Sequence, residues 1–98
     1  MIWDRTKKGV LEVGDENVTF EIKVPSALEM EEIISSASLD ENGRMKLNDS
    51  EIVRKFLTRI DGFESVEDFL SCGQTMLAMK AIGGFIMDAA TLKVELKN

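Results

Sequence analysis

Val18-Thr19-Phe20-Glu21-Ile22-Lys23-Val24-Pro25-Ser26-Ala27-Leu28-Glu29 changes its period in mid-stretch. Val18, Phe20 and Ile22 alternate with Thr19 and Glu21, the two-residue repeat of a half-buried strand. Pro25 is the single proline of the chain, and it ends that repeat. Ser26 followed by Glu29 then makes a capping box, in which each side chain satisfies a backbone N–H at a helix start. A strand that hands over to a helix within three residues implies a mixed α+β fold.

Upstream, Val10-Leu11-Glu12-Val13 is a second β-rich run, and Gly14-Asp15-Glu16-Asn17 between the two supplies turn residues. The pair reads as an N-terminal β-hairpin whose apolar face needs helical cover, because an isolated hairpin is marginal. Residues 1–8 read as a flexible N-terminus. Downstream, Ala27, Met30, Ile33, Ile34 and Ala37 line one face of a first helix. Residues 38–47 are polar and carry the Asn42-Gly43 turn signal. A second helix starts at Asn48 or Asp49, shows Ile52, Val53, Phe56, Leu57 and Ile60 on one side, and stops at Gly62. Ser65 opens a short third helix with Val66, Phe69 and Leu70 as its apolar part. About four helices result, the last being long and apolar over about residues 74–92. The tail from Lys93 frays or adds a short strand through Val94-Glu95-Leu96.

The last helix is the unusual one. From Met76 to Ala90, eleven of fifteen residues are apolar and the charges are Lys80 and Asp88. Ala78, Met79, Ile82, Phe85, Ile86 and Ala89 share one broad face. Burying its four large side chains contributes on the order of 6–12 kcal/mol, at about 1.5–3 each. That outweighs the roughly 2 kcal/mol lost by placing Gly83 and Gly84 in a helix. On the opposite side Lys80, Gly84 and Asp88 form a thin polar line flanked by Leu77 and Met87, with Met76 close by. Two readings stand for that side: a central helix packed all round, or an interface with a subunit or client. The second makes Met76, Leu77, Lys80, Gly84 and Met87 the candidate interface, with methionines as adaptable contacts and glycines allowing close approach.

The 98 residues suffice for a single domain. The formal net charge is −6, and it is uneven. Residues 12–41 hold nine acids against Lys23, whereas residues 44–59 carry five bases against Asp49 and Glu51. An acidic chain is repelled by phosphate, so nucleic acid is not expected as a partner. The basic stretch reads as a solvated helix face; alternatively the two segments face each other, within a protomer or between subunits. No run is long enough to span a bilayer and no secretion signal opens the sequence, so a cytoplasmic protein without membrane contact is expected. A lone Cys72 permits no internal disulfide, consistent with a reducing compartment.

Catalytic signatures are missing. With no histidine, a His-paired nucleophile cannot be built. No glycine loop for phosphate and no cysteine pair for zinc is present, so neither enzyme activity nor a cofactor is expected. Residues 38–49 imitate a calcium loop, with Asp40, Asn42, Gly43 and Asp49 at matching positions. Ser38 stands where the first aspartate belongs, however, and Asp49 is too short for the bidentate last ligand. A plain loop is the expectation, and no metal.

Two segments carry a family resemblance: Lys23-Val24-Pro25-Ser26-Ala27-Leu28-Glu29 after the hairpin, and Asp61-Gly62-Phe63-Glu64-Ser65-Val66-Glu67-Asp68-Phe69-Leu70 before the apolar helix. With them, residues 18–92 resemble in outline the small tail assembly chaperones of long-tailed bacteriophages of Gram-positive hosts. The resemblance implies a non-enzymatic protein of the infected or lysogenic bacterial cytoplasm. Such a chaperone binds the helical tape measure protein and assists the tail tube protein to polymerise around it, itself a possible homo-oligomer. It assigns no role to any single residue. The rival is a small acidic structural or regulatory module: another virion-assembly subunit, or an inhibitor that mimics nucleic acid.

Overall fold

The computed structural model describes residues 3–91. Its fold is α+β: an N-terminal hairpin, β1 (Thr6–Val13) and β2 (Glu16–Lys23), then helix α1 (Ala27–Ser35). A small second hairpin follows, β3 (Ser38–Leu39) with β4 (Met45–Lys46). After it come α2 (Asp49–Phe56), strand β5 (Leu57–Ile60), α3 (Val66–Ser71) and α4 (Met76–Ala89). The main sheet is antiparallel in the order β1-β2-β5.

The handover at Pro25 is as the sequence indicates. The Ser26 hydroxyl accepts from the Glu29 N–H at 3.2 Å, and the Glu29 carboxylate accepts from the Ser26 N–H at 3.1 Å. Asn48 and Ser65 cap α2 and α3 with one side-chain bond each, accepting from the Glu51 and Asp68 N–H groups. Gly14 takes a left-handed φ of 62° in the two-residue turn that closes the main hairpin. The strand β1 begins earlier than its apolar run. Thr6, Lys7 and Lys8, expected in a flexible N-terminus, pair with Lys23, Ile22 and Glu21.

The second helix is shorter than expected. It ends at Phe56, and Leu57–Ile60 pair with β2 as the third strand. Leu57 and Ile60 are both buried, as the helical wheel requires, but by another route. The pairing is irregular: Phe20 faces Ile60 and Glu21 faces Arg59, yet Ile22 faces Leu57. Thr58 is the extra residue of this bulge. The bulge turns Leu57 and Ile60 to one face at a spacing of three, which strand alternation would forbid. The Thr58 hydroxyl donates to the Glu21 carbonyl at 3.0 Å at that point.

The last helix is also shorter. Gln74 has a left-handed φ of 67°, so helical geometry cannot begin there, and α4 starts at Met76. It runs unbroken through Gly83-Gly84 to Ala89, 14 residues in all. The expected extension to residue 92 and the tail with Val94-Glu95-Leu96 lie outside the described residues.

One core unites these elements. Phe20 and Ile22 of β2 meet Ile52, Val53 and Phe56 of α2, Leu57 and Ile60 of β5, Phe69 of α3, and Ile82 and Ile86 of α4. Helix α1 adds Ile33 alone in full, with Met30 half-buried; Ala27 and Ile34 of its expected apolar face are exposed. Phe20 stacks edge-on against Phe85, ring centres 5.1 Å apart. Gly9 lies under the same ring, where a Cβ would come within 2.4 Å of it. Among the described residues no buried side chain is polar or charged.

Besides the register of Glu21 with Arg59, the acidic and basic segments are joined within the protomer by one ion pair, Lys55 Nζ to Glu32 Oε2 at 3.4 Å. Arg54–Glu67 and Arg59–Asp61 are local additions. All three pairs are well exposed, and such pairs contribute little.

The capping box makes a stability prediction. Ser26→Ala is expected to cost about 0.5–2 kcal/mol in urea unfolding at neutral pH. Hydrogen bonds from the Ser26 N–H and hydroxyl hold the Glu29 carboxyl below its ordinary value of 4.5, with help from Lys23 and Lys55. A lowered carboxylate stabilises the fold fully above its ordinary value and loses that contribution as pH falls through the lowered one. The stability gap between the native chain and Glu29→Gln is therefore expected to shrink as pH falls below the ordinary value of 4.5 and through the lowered one.

Candidate protein-binding site

Helix α4 buries one face and leaves the other open. Ile82, Gly83 and Ile86 are fully buried, while Ala78, Met79, Phe85 and Ala89 are partly covered against the core. On the far side Leu77, Lys80, Ala81, Gly84 and Asp88 are exposed. Among the described residues the all-round packing that a central helix would have is absent.

The exposure is concentrated at the first turn. Met76 is 63% exposed and Leu77 75%. The cause is local. Gln74 in its left-handed conformation and the Thr75 hydroxyl, which donates to the Cys72 carbonyl at 3.0 Å, swing the chain out of α3 and start α4 at the edge of the core. Thr75 gives the helix no side-chain cap. The first turn thus projects beyond the residues that would cover it.

Beside this turn runs an open groove of about 670 Å³, whose lining includes Lys46, Leu47, Asp49, Met76, Met79 and Lys80. One wall is the start of α4. The other is the start of α2 with the end of the small hairpin. That hairpin carries a further apolar pair: Leu39 and Met45 are opposite each other in register, 72% and 55% exposed. Its turn is held by Asp40, whose Oδ1 accepts from the N–H groups of Asn42 and Arg44 at 2.9 and 2.8 Å. Asp40 is thereby committed to the backbone, and among the described residues no three metal-ligating side chains gather. A second, smaller cleft of about 240 Å³ lies between α1 and α2, walled by Ile33, Ile52 and Phe56 with Glu32 and Lys55 at its rim.

Of the five residues singled out on α4, Met76 and Lys80 line the groove together, and Leu77 and Gly84 lie exposed on the outer face. Met87 does not join them: it is half-buried and packs on the core. The sequence reading missed Leu47 and Met79 in the groove and the Leu39–Met45 pair beside it. Apolar residues in a segment otherwise polar, with Met45 and Leu47 one residue apart, were the available signal.

The two glycines have different surroundings. Gly83 faces α2, where a Cβ would lie 2.9 Å from Asp49 Oδ1; nothing lies within 4 Å of a Cβ on Gly84. Close approach of helices thus explains Gly83 within the protomer.

No family model, curated protein or solved structure matches the chain. No helix among the described residues is long and apolar enough to cross a membrane.

Gly84→Ala is expected to raise the unfolding free energy by about 0.5–1 kcal/mol, since an exposed alanine costs the helix less than glycine. Gly83→Ala is expected to gain less, because Asp49 must give way. Paired denaturant titrations of the two variants measure the difference.

Proposed function

We propose that the chain is a non-catalytic protein-binding module that holds an amphipathic helix of a client, in the manner of a phage tail assembly chaperone holding the tape measure protein. The observation that carries this reading is the uncovered first turn of α4. Met76 and Leu77 are large, apolar and largely exposed, and Met76 continues into a groove with Met79 and Leu47. Methionines adapt to clients of varied shape because their side chains are unbranched and polarisable. An apolar helix face laid along such a groove, anchored at three- and four-residue intervals, is a recurrent mode of recognition. Lys46, Asp49 and Glu51 on one wall and Lys80 on the other offer polar partners to the client's edges.

Assistance to tail tube polymerisation belongs to the same proposal and rests on the resemblance of Lys23–Glu29 and Asp61–Leu70. An acidic chain suits it, because net charge keeps a complex with an otherwise insoluble helical client in solution.

The test is co-expression with a tagged tape measure protein from the same genome, or with its helical segments, followed by capture in about 1 M salt, where charge attractions are screened. Capture is expected to survive that salt. It is expected to fall at least about tenfold in the double variant Met76→Glu, Leu77→Glu, the equivalent of about 1.4 kcal/mol. The thermal melt of that variant is expected to match the native one, because both residues are outside the core. Capture that dissolves in salt, or that the double variant leaves intact, contradicts the proposal.

A further inference from the structure

Among the described residues the outer edge of β1 has no strand beside it, and its chemistry is directional. In the sheet order β1-β2-β5, β1 pairs on one side only among the described residues. The two-residue turn Gly14-Asp15 makes Val13 and Glu16 the closing hydrogen-bonded pair of the hairpin. Odd-numbered residues of β1 therefore bond to β2, and the Val24 N–H donating to the Arg5 carbonyl at 2.7 Å continues that alternation. Thr6, Lys8, Val10 and Glu12 aim their N–H and C=O groups at the open edge. All four are exposed, Val10 by 60%. An eight-residue edge of this kind is a template for another strand.

The side chains choose the strand. Two copies of β1 related by a two-fold axis normal to the sheet place residues of equal parity opposite each other. Centred on Val10, the pairing sets Lys8 of each copy opposite Glu12 of the other, two opposite-charge pairs flanking a valine pair. Centred on Lys8 it would oppose two ammonium groups, and centred on Glu12 two carboxylates. Centred on Gly9 or Leu11 it leaves Lys8 and Glu12 without charged partners. Opposite charges across a ladder stabilise and like charges destabilise.

We propose that a second copy of this chain docks antiparallel on the free edge of β1 in the register centred on Val10, joining two three-stranded sheets into one of six strands. This contact is separate from the α4 surface, so client binding and self-association respond to different substitutions. Lysines on an edge also serve to repel added strands; the arrangement here differs because Lys8 has a matched acid at the symmetric position.

Sedimentation equilibrium of the whole chain tests the register. The native protein is expected to be a dimer. Glu12→Lys, which stands opposite the uncharged Asn17 within its own protomer, is expected to weaken the dimer about tenfold or more. Adding Lys8→Glu to it is expected to restore the dimer. Val10→Pro removes an N–H that faces the open edge, so it is expected to give a monomer with an unchanged circular dichroism spectrum. A native chain that stays monomeric at all concentrations overturns the proposal. So does a dimer indifferent to Glu12→Lys, or one dispersed by the Met76, Leu77 variant instead.

Discussion

Phe20 is the point on which the rest of this fold turns. Its ring, 2% exposed, is the crossing of four elements: Gly9 of β1 beneath it, Ile60 of β5 beside it in register, and Phe85 of α4 edge-on above it. Burying one phenylalanine contributes about 1.5–3 kcal/mol. The larger consequence is geometric. A side chain at Gly9 would displace the ring, which packs between the bulged third strand and the last helix in the shared core.

That constraint fixes which side of α4 faces inward. With Phe85 held against Phe20, and Ile82 and Ile86 in the core, Leu77, Lys80, Gly84 and Asp88 must face outward. The left-handed Gln74 then decides where the helix begins, and it begins past the edge of the covering residues. The exposed Met76 and Leu77 follow from core geometry at one end and a local backbone conformation at the other. An uncovered apolar turn beside an open groove is what a small acidic module can offer a helical client. It also gives the proposed chaperone role a physical address.

Periodicity and capping made much of this legible from residues alone. The capping box at Ser26 and Glu29 and the inward face of α4 follow from spacing that local geometry alone produces. Leu57 and Ile60 are a different case. Their three-residue interval is the signature of a helix, and a β-bulge at Thr58 reproduces it in a strand. A bulge depends on the partner strand, so no local pattern could reveal it. Met87 is a third case, since its half-buried position against the core depends on tertiary packing and not on spacing along α4. The groove joins Leu47 to Met76 across 29 positions, and that neighbourhood exists only once α2 and α4 have packed around Gly83. The apolar residues of the groove, Leu47, Met76 and Met79, belong to no chemistry-bearing motif, so motifs gave no lead to it.

The most direct measurement is peroxide oxidation of the methionines, followed residue by residue by mass spectrometry with and without a helical client. Exposed thioethers oxidise faster than covered ones. In the free protein Met76 is expected to react several-fold faster than the half-buried Met79 and Met87, and binding of the client is expected to slow Met76 selectively. A Met76 that reacts as slowly as Met87 in the free protein, or at an unchanged rate in the complex, would contradict the account.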